Sequence, residues 1–135
     1  MAFQIKRVYE PAEPADGIRV LVDRLWPRGV TKSKAHLDHW MKEIAPSPQL
    51  RLWFGHRPER FAEFKKRYRS EIKGNPAVAE LRKLGKGARV TLLYGARDPE
   101  MNQAAVLQTI LKQARRKSGA ANQARKKRAK RARVA

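Results

Sequence analysis

The sequence predicts an α/β fold, with a small, mainly parallel sheet covered by helices in a single domain that is followed by a disordered basic C-terminal tail. Two short apolar runs, 18–25 and 88–94, are typical of strands buried on both faces. Between them, from Thr31 to Leu84, apolar residues recur at helical spacing. Strands that alternate with helices in this way indicate a parallel sheet.

The first two strands are predicted from apolar patterning and from the residues that interrupt it. Residues 3–9 alternate as in a half-buried strand, and Pro11 and Pro14 prevent its continuation. The second strand spans 18–25. The link at 10–17 is shorter than the dozen or so residues that a parallel crossover usually requires, so the sequence leaves the strand order open.

Three amphipathic helices are predicted between the second strand and the last one. Pro58 and Pro76 suit first helical positions, and Asn75 can cap the third helix. A further short turn of helix is expected at 50–54. The three apolar stripes are Leu37, Trp40, Met41 and Ile44; Phe61, Phe64, Tyr68 and Ile72; and Val78, Leu81 and Leu84.

A last helix is predicted after the strand at 88–94. Asp98 can serve as its N-cap with Pro99 at the first helical position, and the helix is expected to run to about Lys117. We therefore predict a domain at 1–117. Residues 118–135 are predicted to be disordered, because like charges repel and large apolar side chains are lacking.

The formal net charge of +20 is concentrated towards the end of the chain, where residues 101–135 hold 11 of the 32 Lys and Arg and none of the 12 acids. The folding of the domain does not explain so dense a cluster of Lys and Arg at 125–133. The favoured interpretation is non-specific contact with the phosphates of DNA or RNA, and the alternative is added solubility without a partner. The predicted nucleic-acid contacts are Arg125, Lys126, Lys127, Arg128, Lys130, Arg131 and Arg133.

Several classes of chemistry and location are excluded by what the sequence lacks. The absence of cysteine excludes disulfides, thiolate metal sites and a catalytic thiol, and it fits a reducing cytosol. His36 and His39 share one face but have too few ligands nearby, so no metal and no cofactor are predicted. Without a membrane-length apolar run or a signal peptide, we expect a cytoplasmic protein with no membrane contact. The sequence indicates no oligomeric state.

Charged and polar residues follow two of the predicted strands, where a ligand site is expected. If the strands are parallel neighbours, their carboxyl ends meet at one edge of the sheet, which is where open α/β sheets bind ligands. Arginine forks and the free N–H groups of a helix start favour a small phosphate or carboxylate ligand. The predicted ligand-binding residues are Asp23, Arg24, Trp26, Arg28, Tyr94, Arg97, Asp98 and Asn102.

The same residues also have a purely structural interpretation. In it, Asp23 pairs with Arg24 or Arg28 to hold the loop, while Trp26 fills the core. The two arginines would lower the pKa of Asp23 and favour an ionised structural role over that of a general base. His56 either caps a turn or lines the pocket. The sequence assigns no catalytic residue.

Four segments together carry a family resemblance, namely Lys6-Arg7-Val8-Tyr9, the Val-Leu-Val-Asp-Arg-Leu-Trp-Pro-Arg-Gly string at 20–29, Trp53-Phe54-Gly55-His56 and Thr91-Leu92-Leu93-Tyr94. In this order they resemble the YeaO-like branch of the bacterial domain-of-unknown-function family 488. The resemblance covers residues 3 to about 113. It implies a small cytoplasmic α/β domain and carries no biochemical role.

The chain departs from that resemblance at two places. Relatives often have a histidine after the asparagine that corresponds to Asn102, whereas this chain has Gln103. Longer members of the wider family have a cysteine-bearing loop near the end of the last strand, where this chain has Tyr94-Gly95-Ala96-Arg97. A role for an imidazole or a thiol at these positions therefore does not carry over.

Overall fold

The computed structural model describes residues 3–112, which form four strands and five helices. The strands are β1 (Phe3–Arg7), β2 (Ile18–Leu21), β3 (His39–Trp40) and β4 (Val90–Tyr94). The helices are α1 (Lys32–Ala35), α2 (Pro48–Phe54), α3 (Phe61–Ile72), α4 (Pro76–Gly87) and α5 (103–112). Short 3-10 turns cover Pro14–Asp16, Lys42–Ile44 and Pro58–Arg60.

The four strands form one parallel sheet in the order β1-β4-β2-β3. Strand β4 lies in the interior and is buried along its whole length, with Leu92 opposite Ile5 of β1 and Val20 of β2. Strands β1 and β2 are therefore not neighbours in the sheet, because β4 lies between them. This arrangement confirms the predicted parallel sheet and resolves its order.

The two faces of the sheet are covered differently. One face packs against α3, α4 and α5 in the main core, where the Tyr68 hydroxyl donates to the carbonyl of Ile44 at 2.5 Å. The opposite face carries a smaller apolar cluster around Val8, Leu21 and Leu93, which is covered by Trp26 and other loop residues. Helices therefore shield one face and irregular segments shield the other.

Helices α2, α3 and α4 confirm the corresponding predictions, but the first predicted helix is wrong. Helix α1 ends after four residues, because His36 adopts a left-handed backbone conformation with φ 47°. The backbone N–H groups of Asp38 and Met41 then donate to carbonyls of β2. Pairing with an open strand edge outweighs the helical spacing of the apolar residues here. Among the described helices, none is long and apolar enough to cross a membrane.

Helix α5 begins later than predicted, since Asn102 and not Asp98 is its N-cap. The Asn102 side-chain oxygen accepts from the backbone N–H of Ala105 at 2.8 Å. The Asp98 carboxylate instead accepts from the N–H groups of Glu100 and Met101, which forms a turn ahead of the helix. The predicted helix end near Lys117, the domain boundary and the tail at 118–135 lie outside the described residues.

A buried ionic cluster, which was not predicted from the sequence, joins the first two strands. Asp16 is 2 % exposed and accepts from Arg19 Nη1 at 2.5 Å and from Lys6 Nζ at 3.1 Å. Burial alone would raise the pKa of Asp16, but the N–H of Glu13 and the two cations together hold it below its usual range. Arg19 also donates to the carbonyl of Ala35 at 2.8 Å, so the cluster anchors α1 to β2.

Candidate functional site

A pocket of about 190 Å³ opens at the carboxyl ends of β2 and β4. Because these two strands are parallel neighbours, the segments that follow them meet at the same edge of the sheet. The loop after Ile44, helix α2 and the start of α5 complete the walls. The lining residues are Asp23, Arg24, Leu25, Ala45, Pro46, Arg51, Phe54, His56, Phe64, Gly95, Ala96 and Gln103.

The Asp23 carboxylate joins the two strand ends across the floor of the pocket. Its Oδ2 accepts from the backbone N–H of Gly95 at 2.9 Å, and its Oδ1 accepts from the side-chain amide of Gln103. A Cβ atom at position 95 would lie 3.1 Å from Asp23 Oδ2, so glycine permits this close approach. The carboxylate is thus held in place by donors that carry no charge.

Burial raises the pKa of Asp23 to about 6, and the N–H of Gly95, the Gln103 amide and the charge of Arg51 counteract this only in part. The prediction that Arg24 and Arg28 hold the pKa of Asp23 low is wrong, because burial has the larger effect. Within residues 3–112, no arginine or lysine forms an ion pair with Asp23. Its carboxyl therefore gains or loses its proton near neutral pH.

Arg24 shapes the pocket wall through backbone carbonyls. Its Nε donates to Pro46 at 3.2 Å and its Nη2 donates to Ala45 at 3.1 Å. The structural interpretation of the sequence expected a loop held by an ion pair of Asp23 with Arg24 or Arg28, and neither pair forms. The loop is held instead by guanidinium-to-carbonyl bonds, which leave the charge of Arg24 without a carboxylate partner in the described chain.

Helix α2 and the turn that ends it contribute a cation, Arg51, and an imidazole, His56, to the pocket. Arg51 was not predicted from the sequence, and His56 was predicted to line the pocket only as one of two alternatives. Arg51 is exposed, lines the pocket and lies three residues before Phe54, so both can face the same wall. His56 follows Gly55, and the left-handed conformations of these two residues end the helix. The i, i+3 spacing of Arg51 and Phe54 is the one signal that could have indicated Arg51.

The other predicted ligand residues do not reach this pocket. Trp26 points to the opposite face of the sheet, where its indole N–H donates to Val30 at 2.6 Å and its ring packs edge-on against Trp40 at 5.3 Å. It fills the core there, as the structural interpretation predicted. Arg28, Arg97 and Asp98 are exposed, while Tyr94 and Asn102 are buried in strand and helix-cap positions. Of the predicted set, Asp23 and Arg24 line the pocket.

The pocket combines cationic and apolar walls. Phe54 and Phe64 stack with their ring centroids 4.3 Å apart and form the apolar side. Arg51 and Arg24 supply guanidinium groups on the polar side. Within residues 3–112, no three His, Asp or Glu side chains lie together in a way that could hold a metal ion. Guanidinium groups form charge-assisted hydrogen bonds with carboxylates and phosphates, and two of them line this pocket.

Comparison with known proteins agrees with the resemblance carried by the sequence motifs. A family described as "Inactive DUF488-N3 subclade" matches residues 2–129. The uncharacterised protein Rv3073c of Mycobacterium tuberculosis (strain ATCC 25618 / H37Rv) is 46% identical over 108 residues, which are 80% of this chain and 92% of the relative. The uncharacterised protein YeaO of Escherichia coli (strain K12) is 44% identical over 108 residues, which are 79% of this chain and 94% of that protein. No solved structure matches the chain. The chain therefore belongs to the DUF488 family, as a YeaO-like member of the subclade described as inactive DUF488-N3.

Proposed function

We propose that the protein binds a small anionic ligand, which carries a phosphate or carboxylate group, in the pocket at the carboxyl ends of β2 and β4. The observation that carries this proposal is Arg51, whose guanidinium lines the pocket without a carboxylate partner in residues 3–112. A free arginine fork beside an apolar wall binds a planar or tetrahedral anion through charge-assisted hydrogen bonds. The Phe54 and Phe64 rings provide contact for the carbon skeleton of the ligand.

Several features support binding without chemical conversion of the ligand. Both oxygens of Asp23 already accept hydrogen bonds, from Gly95 and from Gln103, and the neutral amide of Gln103 transfers no proton at ordinary pH. The chain contains no cysteine, so it offers no thiol nucleophile. The description of its subclade as inactive agrees with this proposal.

Replacing Arg51 with glutamine is expected to weaken anion binding by about 10- to 100-fold, because a charge-assisted hydrogen bond contributes about 1.5–3 kcal/mol. Calorimetric titration of the full chain with inorganic phosphate and with succinate measures the change. Arg57→Gln is the matched control, since it removes the same charge from an exposed arginine near α2 that does not line the pocket. Equal affinities for the two variants would exclude Arg51 as the anion-binding group.

The basic segment Arg125–Arg133 favours a second function, which we propose as non-specific binding of nucleic acid through phosphates. It lies outside the described residues, so the proposal rests on its seven Lys and Arg in nine positions. Contacts of this kind carry no base information, so the proposed binding does not depend on sequence.

Neutralising the tail by changing its seven Lys and Arg to Gln in the full chain is expected to remove most nucleic-acid affinity. If the tail contacts about six phosphates, wild-type affinity falls roughly a thousandfold between about 50 and 200 mM salt, and the neutralised chain loses this dependence. Fluorescence anisotropy with a labelled DNA duplex measures both effects. Duplex affinity that persists unchanged after neutralisation would show that the tail is a solubility extension.

A further inference from the structure

A second depression, larger than the first pocket, lies where the end of α3, the turn into α4 and helix α5 meet. Its volume is about 450 Å³, and it shares no lining residue with the pocket at the strand ends. We call it the α3–α4 groove. Its basic side chains are Arg69, Lys73 and Arg82, and its apolar side chains include Ile72, Val78 and Ile110.

The charge of the α3–α4 groove is uncompensated. No Asp or Glu lines it, and its three cations form no ion pair with any carboxylate in residues 3–112. Elsewhere in the same region cations do find partners, as Arg67 does with Glu63 at 3.0 Å on the same helix α3. A groove with three basic side chains and no acid attracts a polyanion.

Arg82 adds an observation that is independent of net charge. Its Nε is buried and has no hydrogen-bond partner among the described residues. Buried donors in folded proteins almost always have an acceptor, which the protein, water or a ligand supplies, so this N–H is available to an acceptor that enters the groove. A phosphate oxygen in the groove would supply that acceptor.

We infer that the α3–α4 groove binds the phosphodiester backbone of a single-stranded nucleic acid. Arg69, Lys73 and Arg82 contact phosphates, and the apolar floor formed by Ile72 and Val78 takes an unstacked base. A duplex keeps its bases stacked inside, so it cannot use this floor. The groove and the tail consist of different residues, so the proposal for either one can be wrong while the proposal for the other holds.

The test is the salt dependence of binding to a labelled oligothymidylate, measured by anisotropy with the full chain. For the double variant Arg69→Gln/Lys73→Gln, the slope of log affinity against log salt should fall by about 1.4, at about 0.7 for each lost phosphate contact. Between about 50 and 200 mM salt, this variant should therefore lose about sevenfold less affinity than the wild type. Arg82→Gln alone should lower the slope by about half as much, and it is measured separately because its side chain is partly buried.

The matched control is Lys32→Gln/Lys34→Gln, which removes two exposed cations from α1 on the opposite side of the sheet and should leave the slope unchanged. Repeating the groove variant in the tail-neutralised chain separates the two nucleic-acid proposals, because the groove effect should persist there. Equal slopes for the groove variant and the control would overturn the inference. An equal effect of the groove variant on duplex binding would overturn the single-strand assignment.

Discussion

Replacing Asp16 with alanine is expected to destabilise the fold by about 3–5 kcal/mol, because it leaves Arg19 buried without a counter-charge. The change also leaves Lys6 with the exposed Glu13 as its one carboxylate partner among the described residues. The Asp16 carboxylate accepts from Lys6 and from Arg19, whose side chains are 9 % and 5 % exposed. Arg19 cannot turn to solvent without breaking other contacts, since it also donates to the carbonyls of Ala35 and His36. Urea unfolding of the full chain measures the loss.

Glu13→Ala is the matched control for this experiment, because Glu13 pairs with the same Lys6 at 2.9 Å but has a side chain that is 67 % exposed. An exposed ion pair contributes about 0–1 kcal/mol, so this variant should stay close to wild-type stability. Asp16→Asn should lie between the two, since it keeps an acceptor but loses the charge. If Asp16→Ala costs no more than Glu13→Ala, the cluster does not stabilise the fold as we describe.

Replacing Asp23 with asparagine is expected to stabilise the protein by about 2–3 kcal/mol above about pH 7. Burial raises the pKa of Asp23 to about 6, against about 4 in the unfolded chain, so keeping it ionised at neutral pH costs folding free energy. Asparagine removes that cost. Its oxygen still accepts from Gly95, and the Gln103 amide can turn to accept from its NH₂.

The pH dependence of this effect has a definite sign. Because the folded pKa lies above the unfolded one, the contribution of the Asp23 proton to stability is complete below about pH 4 and is lost as the pH rises through about 6. Wild type and Asp23→Asn should therefore differ little below about pH 4, diverge between about pH 4 and 6, and differ by a constant amount above about pH 7. Denaturant unfolding over this range measures the difference, and a constant difference at every pH would contradict it.

Asp98→Asn is the control of opposite sign. The N–H groups of Glu100 and Met101 lower the pKa of Asp98, so its ionised form stabilises the fold at neutral pH. This variant should lose stability at neutral pH and approach wild type only in acid. The two aspartates that the sequence placed in one site should thus respond to pH in opposite directions.

Most of the fold could be predicted because its strands and longer helices bury whole faces. Strand β4 and helix α3 follow directly from continuous apolar residues and from a helical stripe. The segment at 37–44 could not, since its apolar spacing fits a helix while its backbone pairs with β2. The strand order also needed the structure, because a short link between parallel strands does not indicate which strand later fills the gap.

The candidate site was predictable only where it follows a strand. Asp23 and Arg24 stand directly after an apolar run, which places them at a sheet edge whatever the rest of the fold does. Arg51 and Gln103 reach the pocket from helices whose packing the local sequence does not encode. The burial of Asp16 was not predicted for a different reason. A short polar residue that follows a proline and precedes a glycine is typical of a surface turn.

The measurement that most directly tests anion binding beside Asp23 is an NMR titration of its side-chain carboxyl, with and without inorganic phosphate. Without phosphate, the carboxyl should titrate near the pKa of about 6. The charge of Arg51 lowers this pKa, so phosphate bound to Arg51 should raise it. In Arg51→Gln the pKa should already be higher and should not respond to phosphate. A pKa that phosphate leaves unchanged in the wild-type chain would contradict anion binding in this pocket.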